Sequence, residues 1–192
     1  MTQTKARLNV RRNLFILTLS ALFLALGVLL PQAFHLVLGQ QGGQILLPMH
    51  IPVLLAGCFL GWQYGLFVGA FTPLLSFFLT QMPPVPNVFL MMAELAFYGF
   101  AGGLFNKLMR SREKGGLPRV ALAVLLAQLA GRAAYALALL LLGNLLGLKG
   151  VSGAEIVLAA ALKGLPGIAV QLVFVPLLVR GLHRLKVGAE ML

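Results

Sequence analysis

The sequence predicts an all-α integral membrane protein, a single bundle of six transmembrane helices, and three observations predict it. Hydrophobic residues make up 60% of the 192-residue chain and charged ones only 10%, with a mean hydropathy of +0.97, more apolar surface than a water-soluble fold can bury. Apolar runs of 16 to 24 residues recur along the chain. At a rise of about 1.5 Å per residue, such helices cross a hydrocarbon layer of about 30 Å with modest tilt or local thinning. The formal net charge of +11 is spread in short Lys/Arg clusters between those runs, the pattern of membrane topology and not of a nucleic-acid-binding stripe.

Residues 14–30 form the first predicted span, preceded by Lys5, Arg7, Arg11 and Arg12. This start resembles a secretory signal, but the apolar stretch is too long and Pro31-Gln32-Ala33-Phe34-His35 offers no small-residue cleavage site. Arg11-Arg12 reads as a positive-inside anchor and not as a twin-arginine signal. The second span, 45–62, opens with Leu47-Pro48-Met49-His50-Ile51-Pro52. Only Gly61-Trp62-Gln63 separates it from the third, 64–79, which implies a tight antiparallel hairpin. The prolines of Gln81-Met82-Pro83-Pro84-Val85-Pro86-Asn87 stiffen the next loop, and Asn87 is placed to cap the fourth span, 88–105. The fifth and sixth spans are 120–142 and 156–179. Gln40-Gln41-Gly42-Gly43-Gln44, the basic segment from Arg110 to Arg119, and Leu148 to Glu155 supply the remaining punctuation, so residues 1–192 read as one transmembrane domain.

Small residues repeat every four positions at Ala21 and Ala25, at Gly61, Gly65 and Gly69, and at Ala130, Ala134 and Ala138. Such faces let helices approach closely in lipid, where packing and not hydrophobicity drives association. The glycine series is expected inside the bundle; the Ala21/Ala25 pair lies on an otherwise bulky, lipid-like helix.

Cationic loops resist translocation, so orientation follows from the cations at the span ends. Lys5, Arg7, Arg11, Arg12, Lys107, Arg110, Arg112, Lys114, Arg119, Arg180, Arg184 and Lys186 fall on one side and only Lys149 on the other. Both termini are therefore expected in the cytoplasm of a bacterial-type cell membrane. Arg132 and Lys163, the last two of the fifteen cations, lie within apolar spans.

Ionisable groups inside a membrane need a partner or a function. His50, Glu94 and Lys163 fall in the outer halves of their spans and Arg132 near the middle of its own, so all four can face one outward cavity. Helical spacing extends them into faces: Met91, Glu94 and Tyr98; Gln128, Arg132 and Tyr135; Lys163, Gly167 and Gln171. Tyr and Met supply apolar walls while amides and charges supply oriented contacts, the composition of a small-molecule pocket. The bland alternative is an internal ion pair, Glu94 with Arg132 or Lys163, that only pins helices. One carboxylate cannot neutralise two cations, however, so a positive charge remains for an anionic substrate, expected to be a carboxylate. His50, between two prolines at a helix start, is expected to bind as well; His35 reads as a surface residue.

Enzymatic readings lack material. The chain has no Asp, and its carboxylates are Glu94, Glu113, Glu155 and Glu190, too few and too scattered for acid–base pairs or metal–phosphate chemistry. No Walker, HExxH or GxSxG motif occurs, and the single cysteine, Cys58, lies in an apolar run and reads as packing. Neither cofactor nor metal is expected. A stand-alone secondary transporter or channel, and a purely structural subunit, remain as alternatives.

Several strings resemble the substrate-binding S component of energy-coupling factor (ECF) vitamin transporters over nearly the whole chain. They are Ala21-Leu22-Phe23-Leu24-Ala25, the run from Leu46 through Pro48-Met49-His50-Ile51-Pro52 to Gly57, Thr72-Pro73-Leu74-Leu75-Ser76 with Met82-Pro83-Pro84, and Met91-Met92-Ala93-Glu94-Leu95-Ala96-Phe97-Tyr98-Gly99. The resemblance implies a six-helix S-component bundle that captures a vitamin from outside under the first outer loop and topples to release it inward. It also implies a T component docking on Ala21 and Ala25, with two ATPases completing the complex. The Pro-Met-His-Ile-Pro string and the Glu94 region look closest to niacin- and pantothenate-type members. Substrate contacts are then expected from His50, Asn87, Met91, Glu94, Tyr98, Arg132, Tyr135, Lys163 and Gln171.

Overall fold

A computed structural model of the chain describes residues 2–110, 116–143 and 153–184. Among these residues the regular structure is wholly helical: α1 (Thr2–Leu46), α2 (His50–Leu55, prolonged by a π-helical turn, Ala56–Leu60), α3 (Trp62–Thr80), α4 (Asn87–Arg110), α5 (Gly116–Leu142) and α6 (Gly153–Arg184). Most of the basic segment between Arg110 and Arg119, most of the expected loop from Leu148 to Glu155, and with them Arg112, Lys114 and Lys149, lie outside the described residues.

Five long helices close a ring in the order α1, α3, α4, α5, α6, while α2 packs inside it against α1, α3, α4 and α6. The long helices have the length and apolar composition to cross a membrane; His50–Leu60 does not. The expected span 45–62 is thus realised as a turn followed by a short helix. Leu47 adopts a left-handed φ of 49°, which ends α1, and Gly61 adopts φ 114°, which ends the π turn. Residues 52–60 are all buried, so α2 is a central plug. Eleven helical residues rise about 16 Å, roughly half of a hydrocarbon layer, and the ring encloses space above them.

The first helix also departs from its expected bounds. It runs past Pro31 to a break at Gly39 (φ 70°, ψ 178°) and resumes to Leu46, so the Gln/Gly-rich segment is helical after a reversal and not an open loop. Glycine alone takes that φ without a Cβ penalty, and the reversal brings Gly43 back against the His35 imidazole.

Glycines bring α3 onto α4. Gly65 lies on the Gly99 carbonyl and Gly69 on that of Leu95, so the two backbones meet with no side chain between them. Gly61, expected in the same series, has open space around it and serves as the joint instead. Asn106 donates from Nδ2 to the Cys58 carbonyl at 2.7 Å, fixing the π turn to α4. The expected Asn87 cap is not made: Asn87 is itself the first residue of α4, and the opening amides of Val88 and Phe89 donate to the carbonyls of Pro84 (3.3 Å) and Pro86 (3.2 Å). Prolines, having no amide hydrogens, leave acceptors free there for the purpose.

Candidate functional site

The half-filled interior leaves a cavity of about 390 Å³ at the end of the bundle remote from the Gly61 joint. Its base is the start of α2. His50 is 2% exposed and meets the Tyr98 ring edge-on, centroids 4.9 Å apart at 86°. Neither imidazole nitrogen has a hydrogen-bond partner among the described residues, although both are buried. A buried polar ring left unmatched beside a cavity calls for a partner.

The walls come from different helices. From α4, Asn87, Met91 and Glu94 line the cavity; from α5, Arg132 and Tyr135; from α6, Lys163. Arg132 Nη1 lies 2.8 Å from Glu94 Oε1, with the two side chains 15% and 4% exposed. This is the internal pair that the sequence allows, and it uses one nitrogen of the guanidinium; Nε and Nη2 are buried with no hydrogen-bond partner among the described residues. Lys163 is exposed toward the cavity and forms no ion pair among the described residues. The cavity wall therefore carries one compensated cation and one uncompensated cation.

Seven of the nine expected contact residues line this single void: His50, Asn87, Met91, Glu94, Arg132, Tyr135 and Lys163. Tyr98 and Gln171 do not. Tyr98 is fully buried behind His50. Gln171 accepts from Gln128 Nε2 at 3.0 Å and donates to the Leu47 carbonyl at 3.3 Å, one layer below the wall. The expected docking residues Ala21 and Ala25 are exposed on α1 and precede its cavity-lining part, which begins at Pro31.

Other lining residues went unread. Pro31, Gln32, His35 and Gly43 form a roof, and Ser76 with Met82, Pro83 and Pro84 closes one side. His35, read as a surface residue, is half-buried in that roof because the Gly39 break folds the chain back over it. Gln32 ties the roof to α3 by donating to Thr80 Oγ1 at 3.2 Å. A Gly followed by further polar and Gly residues was the one signal that such a reversal was available.

A family model described as "ECF transporter, substrate-specific component" matches residues 16–179. No curated protein and no solved structure matches the chain.

Proposed function

We propose, because the chain belongs to the family of ECF transporter substrate-specific components, that its cavity binds one small anionic, water-soluble micronutrient, a carboxylate such as niacin or pantothenate. The observation that carries this reading is the charge arrangement: Glu94 is engaged by Arg132, while Lys163 lines the same void with no ion pair among the described residues. A bound carboxylate supplies the missing negative charge, and His50 offers a further hydrogen bond. Methionine, tyrosine and proline side chains provide an apolar seat for the rest of the solute.

In this reading the cation-rich helix ends, which include Arg11 and Arg12, Lys107 and Arg110, Arg119, Arg180 and Arg184, face the cytoplasm, and the cavity faces outward. Loading precedes association with a T component on the Ala21/Ala25 face and with two ATPases, which the chain itself lacks. Reconstitution tests the whole scheme. Liposomes holding the chain alone bind labelled niacin or pantothenate without accumulating it, and ATP-driven uptake starts when T component and ATPases are added. Sustained flux through the chain alone favours a stand-alone transporter, and absence of any binding favours a structural subunit; either result overturns the proposal.

A further inference from the structure

Three residues on one face of α6 grip the α1–α2 joint without reaching the cavity. At Gly167 an added Cβ would stand 2.7 Å from the Ile45 carbonyl oxygen and 2.7 Å from the Leu46 carbonyl, so the backbone of the joint lies directly on the helix. At Gly164 it would stand 2.8 Å from both Arg132 Nη2 and Leu47 Cδ1. One turn further, Gln171 is 1% exposed and donates to the Leu47 carbonyl at 3.3 Å while accepting from Gln128 at 3.0 Å. The same Leu47 carbonyl accepts from the His50 amide at 3.1 Å.

Leu47 is the strained member of this set, since φ 49° is a conformation that a leucine avoids. Such a turn persists only where its surroundings hold it. Gln171 holds its carbonyl, Gly167 admits the backbone before it, and Gly164 leaves room for its side chain. His50 hangs from the same carbonyl, so any rotation at Leu47 moves the imidazole. Gly164 also leaves the space that Arg132 occupies on its way to Glu94.

We propose that the Gly164–Gly167–Gln171 face of α6 is a positioning seat that fixes the Leu47 turn, and through it the places of the His50 imidazole and the Arg132 guanidinium in the cavity. These three residues then govern affinity without touching the solute. The inference rests on reading the cavity as the binding site, but the joint can be followed without a ligand. Met49, beside His50, lines the cavity and is 6% exposed, and the native Cys58 is buried, so Met49→Cys gives one reporting thiol against a low background.

The full chain in detergent, carrying Met49→Cys, is treated with a small water-soluble methanethiosulfonate; in parallel, the chain without that substitution is titrated with niacin and with pantothenate. The variants are Gly167→Ala, the pair Gln128→Leu/Gln171→Leu, and Val173→Ala on the lipid-facing side as a control. Exchanging both amides for apolar side chains leaves no orphaned partner between them, which spares the fold while freeing Leu47. The reporting thiol is expected to react about five- to tenfold faster when Met49→Cys is combined with either seat variant, with affinity lower by a similar factor; the double-leucine pair should melt near the parent, whereas Gly167→Ala, which drives a methyl group onto backbone carbonyls, should melt lower. The Val173→Ala control matches the parent. Unchanged labelling in both seat variants overturns the seat. If the parent binds neither vitamin, the carboxylate reading fails, and the labelling rates still decide this one.

Discussion

Lys163→Gln separates a binding cavity from a packing defect. Lys163 is exposed and has no carboxylate partner among the described residues, so its removal should change the stability of the fold by less than about 0.5 kcal/mol. Its effect on an anion is larger. Two unit charges 4 Å apart, roughly contact distance, attract by about 4 kcal/mol at an effective dielectric of about 20, and by about 1 kcal/mol in water. An ammonium in a cavity open to solvent sits toward the aqueous limit, so about 1–2 kcal/mol is at stake, a factor of roughly 5–30 in Kd. Equilibrium dialysis of niacin and pantothenate against the purified parent and variant, beside the neutral amide of each acid and at two salt concentrations, measures it. Both acids should weaken by that factor if bound, the amides should not, and added salt should narrow the gap. Equal losses for acid and amide, or no loss for an acid that the parent binds, would refute the assignment of Lys163 as the anion's partner.

The Glu94–Arg132 pair behaves differently. Arg132→Gln strands a carboxylate that is 4% exposed and should cost about 3–5 kcal/mol, whereas Glu94→Gln/Arg132→Gln should recover most of it, as read from thermal melting in one detergent. Gly65→Ala drives a methyl group into the Gly99 carbonyl and should destabilise the bundle by about 1–3 kcal/mol, while Gly116→Ala, which meets nothing within 4 Å, should be silent in the same melt. Exchanging the exposed Ala21 and Ala25 for Trp should abolish ATP-driven uptake in the reconstituted complex while leaving Kd unchanged; normal uptake would remove the docking role from that face.

The parts of this molecule that follow periodicity were legible in the sequence. Met91 and Glu94, or Arg132 and Tyr135, share a helical face whatever the surroundings, so their convergence on one void could be read from spacing. Depth along the axis could not. Gln171 follows Lys163 by eight residues, which displaces it by about 12 Å along α6 and carries it below the cavity wall. The short central helix was equally hidden. The run from Ile45 to Trp62 contains no charged residue, and hydropathy cannot tell a full span from a turn at Leu47 followed by eleven helical residues. Both of its limits are backbone events, a positive φ at Leu47 and another at Gly61, and only the second falls on a residue type that advertises it. His35 was missed for the same reason, its burial being set by the reversal at Gly39.

The short α2 links these features to function. A full-length second span would fill the ring, and the charges would meet only each other. With α2 stopping partway, the ring of long helices holds a recess whose base is a histidine and whose wall holds Lys163, a cation with no ion pair among the described residues.

The most direct test is mass spectrometry of the small molecules released from the full chain after purification from its own membranes. About one equivalent of a single carboxylate-bearing metabolite per chain is expected, with much less retained by Lys163→Gln. A neutral metabolite retained equally by parent and variant would contradict the account.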